Sequence, residues 1–173
     1  MIQKCSSMNV YSNNWINVSR DEVFFTDGSI GEYGVIRHKA ESVVVLVERG
    51  RELLFVSTFR YVTSKESLEL PAGIIEKSEI PTEAACREVF EETNCVIGNC
   101  VELFSYYPSN GTSDQRMHVV KGTYESGEAI SDNSENSKAF WIPSPTAIEC
   151  IKNNKIQDGP TIIALLYSNS YRV

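Results

Sequence analysis

The segment "SVVVLVERGRELLFVSTFR", residues 42 to 60, restricts the fold more than any other part of the chain. Val43 to Val47 is an unbroken aliphatic run, too short for a helix and rich in β-branched residues, so it reads as a buried strand. Glu48 to Arg51 supplies a turn, and Leu53 to Phe59 returns as the second strand of a hairpin. Further strand candidates are Trp15 to Phe25, closed by the Asp27-Gly28 turn signal, and Leu68 to Gly73, Val101 to Tyr106, His118 to Tyr124 and Ala139 to Ile142. Helical patterns occupy the stretch after Gly73, Pro145 to Asn153 and Pro160 to Ser168. Strands with few, scattered helices predict an α+β protein, a mixed sheet with helices packed on it. Residues 1 to 12 read as loosely ordered, and there is no internal repeat.

Length and charge set the remaining bounds. The 173 residues suit a single domain with a full core. A net charge of −7 and a pI near 4.9 disfavour binding to nucleic acid through phosphate contacts. No stretch approaches the roughly 20 apolar residues of a membrane span, and "MIQKCSSMNVYSNNW" has no apolar run of the signal-peptide kind. The five cysteines, Cys5, Cys86, Cys95, Cys100 and Cys150, form no CxxC pair and no zinc spacing. Reduced thiols in the cytoplasm are therefore expected.

The chemistry concentrates in "LPAGIIEKSEIPTEAACREVFEETNC", residues 70 to 95. Pro81 suits a first helical turn, although Ile80 before it is a poor cap. At about 100° per residue, Glu88, Glu91 and Glu92 share an arc of roughly 100°, while Ala85, Cys86, Val89 and Phe90 occupy another that faces the core. Glu88 and Glu92 are like charges at i,i+4, which costs a few tenths of a kcal/mol. Arg87 is the cation within reach. An acidic solvated face is one reading. The other is a site for a hard divalent cation, which carboxylates suit and which would reverse the repulsion. Helical spacing alone leaves both open.

The wider spacing favours the second. Gly73, Glu79, Arg87-Glu88-Val89 and Glu91-Glu92 together resemble the Nudix box, the signature of the Nudix hydrolases, over residues 73 to 95. At average usage such a match arises by chance in on the order of 10⁻⁸ of windows. Asn94 stands where the family has glycine, and Cys95 where it has an aliphatic residue. Asparagine is the residue that best replaces glycine in a left-handed cap.

The resemblance implies a Nudix fold, a mixed β-sheet sandwiched between α-helices, spanning residues 1 to 173 as one domain. It implies Mg²⁺, with Mn²⁺ as the alternative, held by Glu88, Glu91, Glu92 and the Ala72 carbonyl. Arg87 would orient the glutamates, and Glu79 would support the loop. The flanks "STFR", "LELPAG", "SNGTSDQ" and "IQDGPTIIALL" are similar to the ADP-ribose and nucleoside-diphosphate-sugar pyrophosphatase branch. By that similarity Arg60, Glu69, Gly111 and Ser113 are substrate-binding candidates. A catalytic base is expected in the loop before Phe140-Trp141, with Glu135 first, Glu128 second and Glu91 the candidate within the box. His118 and His38 read as structural. The implied reaction is metal-dependent hydrolysis of a nucleoside diphosphate linked to a second group, with ADP-ribose giving AMP and ribose 5-phosphate. Another nucleotide sugar, a dinucleoside polyphosphate, a noncanonical nucleoside triphosphate, or a non-catalytic nucleotide sensor are the alternatives. A homodimer is implied, with Trp15, Phe24 and Phe25 suited either to its interface or to the core.

Overall fold

A computed structural model describes residues 1–129 and 138–170. The described residues separate into two compact units, Met1–Glu41 with Tyr106–Arg116, and Ser42–Ser105 with Met117–Val173.

The first unit carries an antiparallel sheet of β1 (Gln3–Ser12), β2 (Ile16–Phe24) and β3 (Ile30–His38), in that order. Of residues 1 to 12, expected to be loose, Gln3–Ser12 thus form a ten-residue strand. All of β1 is exposed, so it has no buried face to impose an alternating pattern on its sequence. Backbone pairing with β2, from Gln3↔Phe24 to Ser12↔Asn17, holds it. Asn13 closes the hairpin, its side-chain oxygen accepting the N–H groups of Trp15 and Ile16 at 2.8 Å each. In β2 the buried Asp21 accepts hydrogen bonds from the hydroxyls of Ser7 and Ser19, which hold its carboxyl below the usual range.

The second unit holds a mixed seven-stranded sheet. Its strands are β4 (Ser42–Arg49), β5 (Glu52–Arg60), β6 (Lys65–Glu69), β7 (Ala72–Ile74), β8 (Val96–Tyr106), β9 (Met117–Ser126) and β10 (Lys138–Pro143). The main order is β10-β5-β4-β9-β8, with β6 added to β5 and β7 to β4. The β4–β9 pairing is parallel, from Ser42↔Met117 to Glu48↔Thr123. The expected hairpin is present, but β4 and β5 pair only at Glu48↔Leu53 and Arg49↔Glu52 before they diverge. Into the gap enters the Leu70–Ile74 segment, with Val45 N–H donating to Pro71 O at 2.9 Å. The strand expected over Leu68 to Gly73 is therefore two strands, because Pro71 cannot donate to a ladder.

Three helices complete this unit: α1 (Pro81–Thr93), α2 (Ser144–Lys152) and α3 (Gly159–Ser170). Val43 to Val47 are all fully buried. Val43, Val45 and Val47 pack with Ala84, Ala85 and Val89 of α1, and with Leu54, Cys95, Ile97 and Val120. Val44 and Leu46 alternate with these and are equally buried, and α3 packs against the same strand. A central strand buried on both faces explains the unbroken aliphatic run.

Candidate functional site

The acidic helix is fixed at both ends. Ile80 has no acceptor in its side chain, so only half a capping box forms, Ile80 N–H donating to Glu83 Oε2 at 3.0 Å. At the other end Asn94 adopts φ 59°, ψ 18°, the left-handed cap that the substitution for glycine predicts, and its N–H donates to Phe90 O. Cys95 is fully buried in the core.

Arg87 is the hub of the box. Its Nε and Nη2 donate to the two oxygens of Glu79 at 2.8 and 2.9 Å. Nη2 also donates to Ile74 O at 2.8 Å, and Nη1 donates to Glu88 Oε1 at 2.8 Å and Glu91 Oε2 at 3.1 Å. One guanidinium thus ties the loop before the helix to two of the three glutamates. It lowers the Glu79 carboxyl to about 2, an effect that outweighs the opposing one of burial. Glu79 also accepts Glu76 N–H at 2.9 Å, the loop support expected of it. Burial raises the pKa of Glu88 against the pull of Arg87.

Glu88 lies against Gly73. A Cβ at position 73 would stand 2.0 Å from Glu88 Cδ, so only glycine lets this carboxylate approach the backbone. Glu92 accepts Ala72 N–H at 3.2 Å. Glu88 and Glu92 line a cavity of about 380 Å³ with Ala72, Gly73, Thr58 and Arg60. The donors here are carboxylate oxygens beside a backbone turn, which suits a hard divalent cation. Among the described residues no three acidic, imidazole or thiol side chains are placed together so as to hold a metal ion. Glu88 and Glu91 are drawn to Arg87, and Glu92 to the Ala72 amide. The residues fit a metal in kind, and of the three glutamates Glu88 and Glu92 line the cavity beside the turn. Glu91 is exposed and is not among the cavity residues.

Arg60 and Glu69, both substrate-binding candidates from the flank similarity, form a direct pair. Glu69 is 4% exposed, and Arg60 meets it with two parallel hydrogen bonds, Nε to Oε1 at 2.9 Å and Nη2 to Oε2. Register puts them on paired strands, β5 and β6, and their spacing of nine residues across a turn is the signal that could have found them. Arg60 lines both the glutamate cavity and a second cleft of about 570 Å³ that includes Lys65, Lys155 and Asp158. Asp158 precedes α3 and accepts Thr161 N–H at 2.9 Å, and burial raises its carboxyl pKa. Thr161, fully buried, accepts Leu70 N–H at 2.9 Å through its hydroxyl. The Leu70–Ala72 turn is therefore pinned by Thr161 at one end and by Glu92 at the other.

Gly111 and Ser113 belong to the first unit, where Ser113 N–H donates to Ser109 O at 2.8 Å and Ser113 bridges to Ile36. Glu135 lies outside the described residues, whereas Glu128 is exposed. His118 is buried, with Nδ1 at 2.7 Å from Glu102 Oε1.

Comparison with known proteins agrees with the box. The NUDIX domain family matches residues 37–163, and the nucleoside diphosphate sugar hydrolase N-terminal domain matches residues 2–36. A methanol dehydrogenase activator of Bacillus methanolicus is 28% identical over 161 residues, covering 91% of this chain and 87% of that protein. An ADP-ribose pyrophosphatase of Bacillus subtilis is 24% identical, with the same two coverages. A GDP-mannose pyrophosphatase of Pectobacterium atrosepticum is 30% identical, covering 78% of this chain and 69% of that protein. The fold is that of the solved ADP compounds hydrolase structure, with a TM-score of 0.88 at 16% identity over 98% of this chain and 93% of that one. The box spacing, the matched span of residues 37–163 and the shared fold place the chain in the NUDIX family of hydrolases.

Proposed function

We propose that the chain hydrolyses the diphosphate bond of a nucleoside diphosphate linked to a second group, with ADP-ribose cleaved to AMP and ribose 5-phosphate as the leading substrate. The observation that carries this reading is the cavity in which Glu88 and Glu92 meet the Ala72–Gly73 turn, with Arg60 at its edge. Hydrolases of this family require divalent metal ions. Mg²⁺ is the proposed ion and Mn²⁺ the alternative, held by Glu88, Glu92, Glu91 and the Ala72 carbonyl. When bound, such an ion neutralises a diphosphate and activates water.

The chain's own residues supply the rest. Arg87 holds Glu88 and Glu91 beside the turn, and a cation that arrives would draw their carboxylates from the guanidinium toward Glu92. Glu69 fixes the Arg60 guanidinium at the cavity edge, where it can meet a phosphate or the group beyond it. Gly111 and Ser113 are kept as substrate-binding candidates on flank similarity alone. Glu135 is the proposed base, ahead of Glu128 and Glu91. A cytoplasmic homodimer is the proposed working form. Exposed Trp15 and Phe24, 61% and 45% accessible, support a role for the first unit in association.

One observation favours a second reading of the substrate: the GDP-mannose pyrophosphatase relative has the higher identity, 30% against 24%, although over a shorter stretch, 143 residues against 162. The test is a panel of ADP-ribose, GDP-mannose, other nucleotide sugars, dinucleoside polyphosphates and dNTPs with Mg²⁺ or Mn²⁺, products being identified by mass. ADP-ribose should turn over well above dNTPs, and faster GDP-mannose cleavage would shift the assignment within the branch. Faster pyrophosphate release from dNTPs would overturn the branch, and tight binding without turnover would establish a sensor. Glu88→Gln and Glu92→Gln should each lower kcat at least about a hundredfold.

A further inference from the structure

Two thiols that sequence spacing does not connect meet between α1 and β8. Cys86 Sγ and Cys100 Sγ stand 3.3 Å apart, closer than an ordinary nonbonded contact of two sulfurs. Each is also oriented by the backbone of β8, Cys86 Sγ lying 3.9 Å from Ile97 O and Cys100 Sγ 3.9 Å from Gly98 O. Beneath Cys100 is Gly122, where a Cβ would come within 3.2 Å of the sulfur and 2.8 Å of Ile97 Cδ1. The glycine leaves just enough room for Cys100 to rest over β9 and face the helix. Both thiols are half-buried, so a small solute can reach them, whereas Cys95 is fully buried. The hydrolytic site uses neither sulfur. Two core cysteines filling space need no such approach.

We propose that Cys86 and Cys100 form a modification site that a small peroxide closes to a disulfide, stapling α1 to β8. The step balances with hydrogen peroxide as oxidant. One thiol sulfur takes an oxygen from the peroxide, becoming a sulfenic acid and releasing water. The second sulfur then attacks the first, the S–S bond forms, and a second water leaves with the remaining thiol proton. The two sulfurs together lose two electrons and the peroxide gains two. Burial pushes the Cys100 thiol up to about 12, which slows its attack, but the sulfurs need no search to find one another. The bond would join residues fourteen apart in sequence and anchor the helix that carries Glu88, Glu91 and Glu92.

The test treats the full chain with hydrogen peroxide, blocks remaining thiols under denaturing conditions, and maps peptides without reduction. The expected result is loss of two hydrogens per chain and a linked pair of peptides containing Cys86 and Cys100, reversed by dithiothreitol. Thermal unfolding of the oxidised chain should rise by roughly 5 °C or more, from closure of a short loop. Cys100→Ser should retain basal hydrolysis and lose both the link and the Tm rise. Oxygen addition at either cysteine without a link, a link through Cys95, or dimers joined through exposed Cys5 would each overturn the proposal. Should Cys100→Ser fail to fold, the peptide map of the unaltered chain decides by itself.

Discussion

Replacing Arg87 with alanine tests whether the box is an arranged site or an acidic surface. The arginine side chain is 24% exposed and its partners Glu79 and Glu88 are 18% and 13% exposed, so the network is largely shielded from water. Removing the guanidinium leaves two enclosed carboxylates without their charge partner and Ile74 O without its donor. A drop of Glu79 from 4.5 to about 2 corresponds to at most ~3.4 kcal/mol. Screening by the remaining solvent reduces this to about 1–2 kcal/mol. With the loss at Glu88 and Ile74 O, Arg87→Ala should cost about 2–4 kcal/mol, a fall in Tm of roughly 5–15 °C. The Glu79 part has a definite pH dependence. Its folded pKa is depressed, so its contribution is complete above the ordinary value of 4.5 and fades as pH falls through about 2. Arg87 also pulls the Glu88 pKa down against burial, so loss of that contact adds to the gap in the same sense. Thermal unfolding followed by circular dichroism, in chelator-treated buffer from pH 7 to pH 2.5, measures the gap between wild type and variant. The gap should be steady above about pH 5.5 and narrow below 4.5. Arg87→Lys should fall between the two, because an ammonium cannot make the paired contact to Glu79. A gap under about 1 kcal/mol at pH 7, or one unchanged down to pH 2.5, would refute the hub reading.

Gly73→Ala places a methyl 2.0 Å from Glu88 Cδ, so the carboxylate must leave its seat. We expect at least about a tenfold loss of kcat/KM and weaker Mg²⁺ binding by calorimetry, with far-ultraviolet circular dichroism unchanged. Thr161→Val keeps the shape and removes the acceptor for Leu70 N–H. Chemical denaturation should show about 1–3 kcal/mol lost, and Thr161→Ser should recover most of it. Glu135→Gln should lower kcat about a hundred- to ten-thousandfold at saturating metal, with metal affinity little changed and Glu128→Gln near normal. The reverse pattern would transfer the role of base to Glu128, and two normal variants would move it to Glu91.

The sequence alone determined the centre of the second unit. An aliphatic run of five with a turn and a returning strand leaves little choice but a buried hairpin, and β4 and β5 are where that pattern predicts them. The box was equally legible, because a fixed spacing of glycine, arginine and glutamates is a local property that survives without coordinates. Asn94 as the left-handed cap followed from the same local reasoning. Tertiary structure decided what local pattern cannot encode. β1 buries nothing, so its residues carry no periodic mark, and only pairing with β2 makes it a strand. Pro71 divides what reads as one strand, because its neighbours find partners on different strands, β6 on β5 and β7 on β4. The seat of Glu88 on Gly73 joins residues fifteen apart, the Thr161 bond to Leu70 joins residues ninety-one apart, and the Cys86–Cys100 contact joins a helix to a strand. Such pairs are set by how elements pack, and packing depends on the summed burial of the whole core rather than on the identity of either partner.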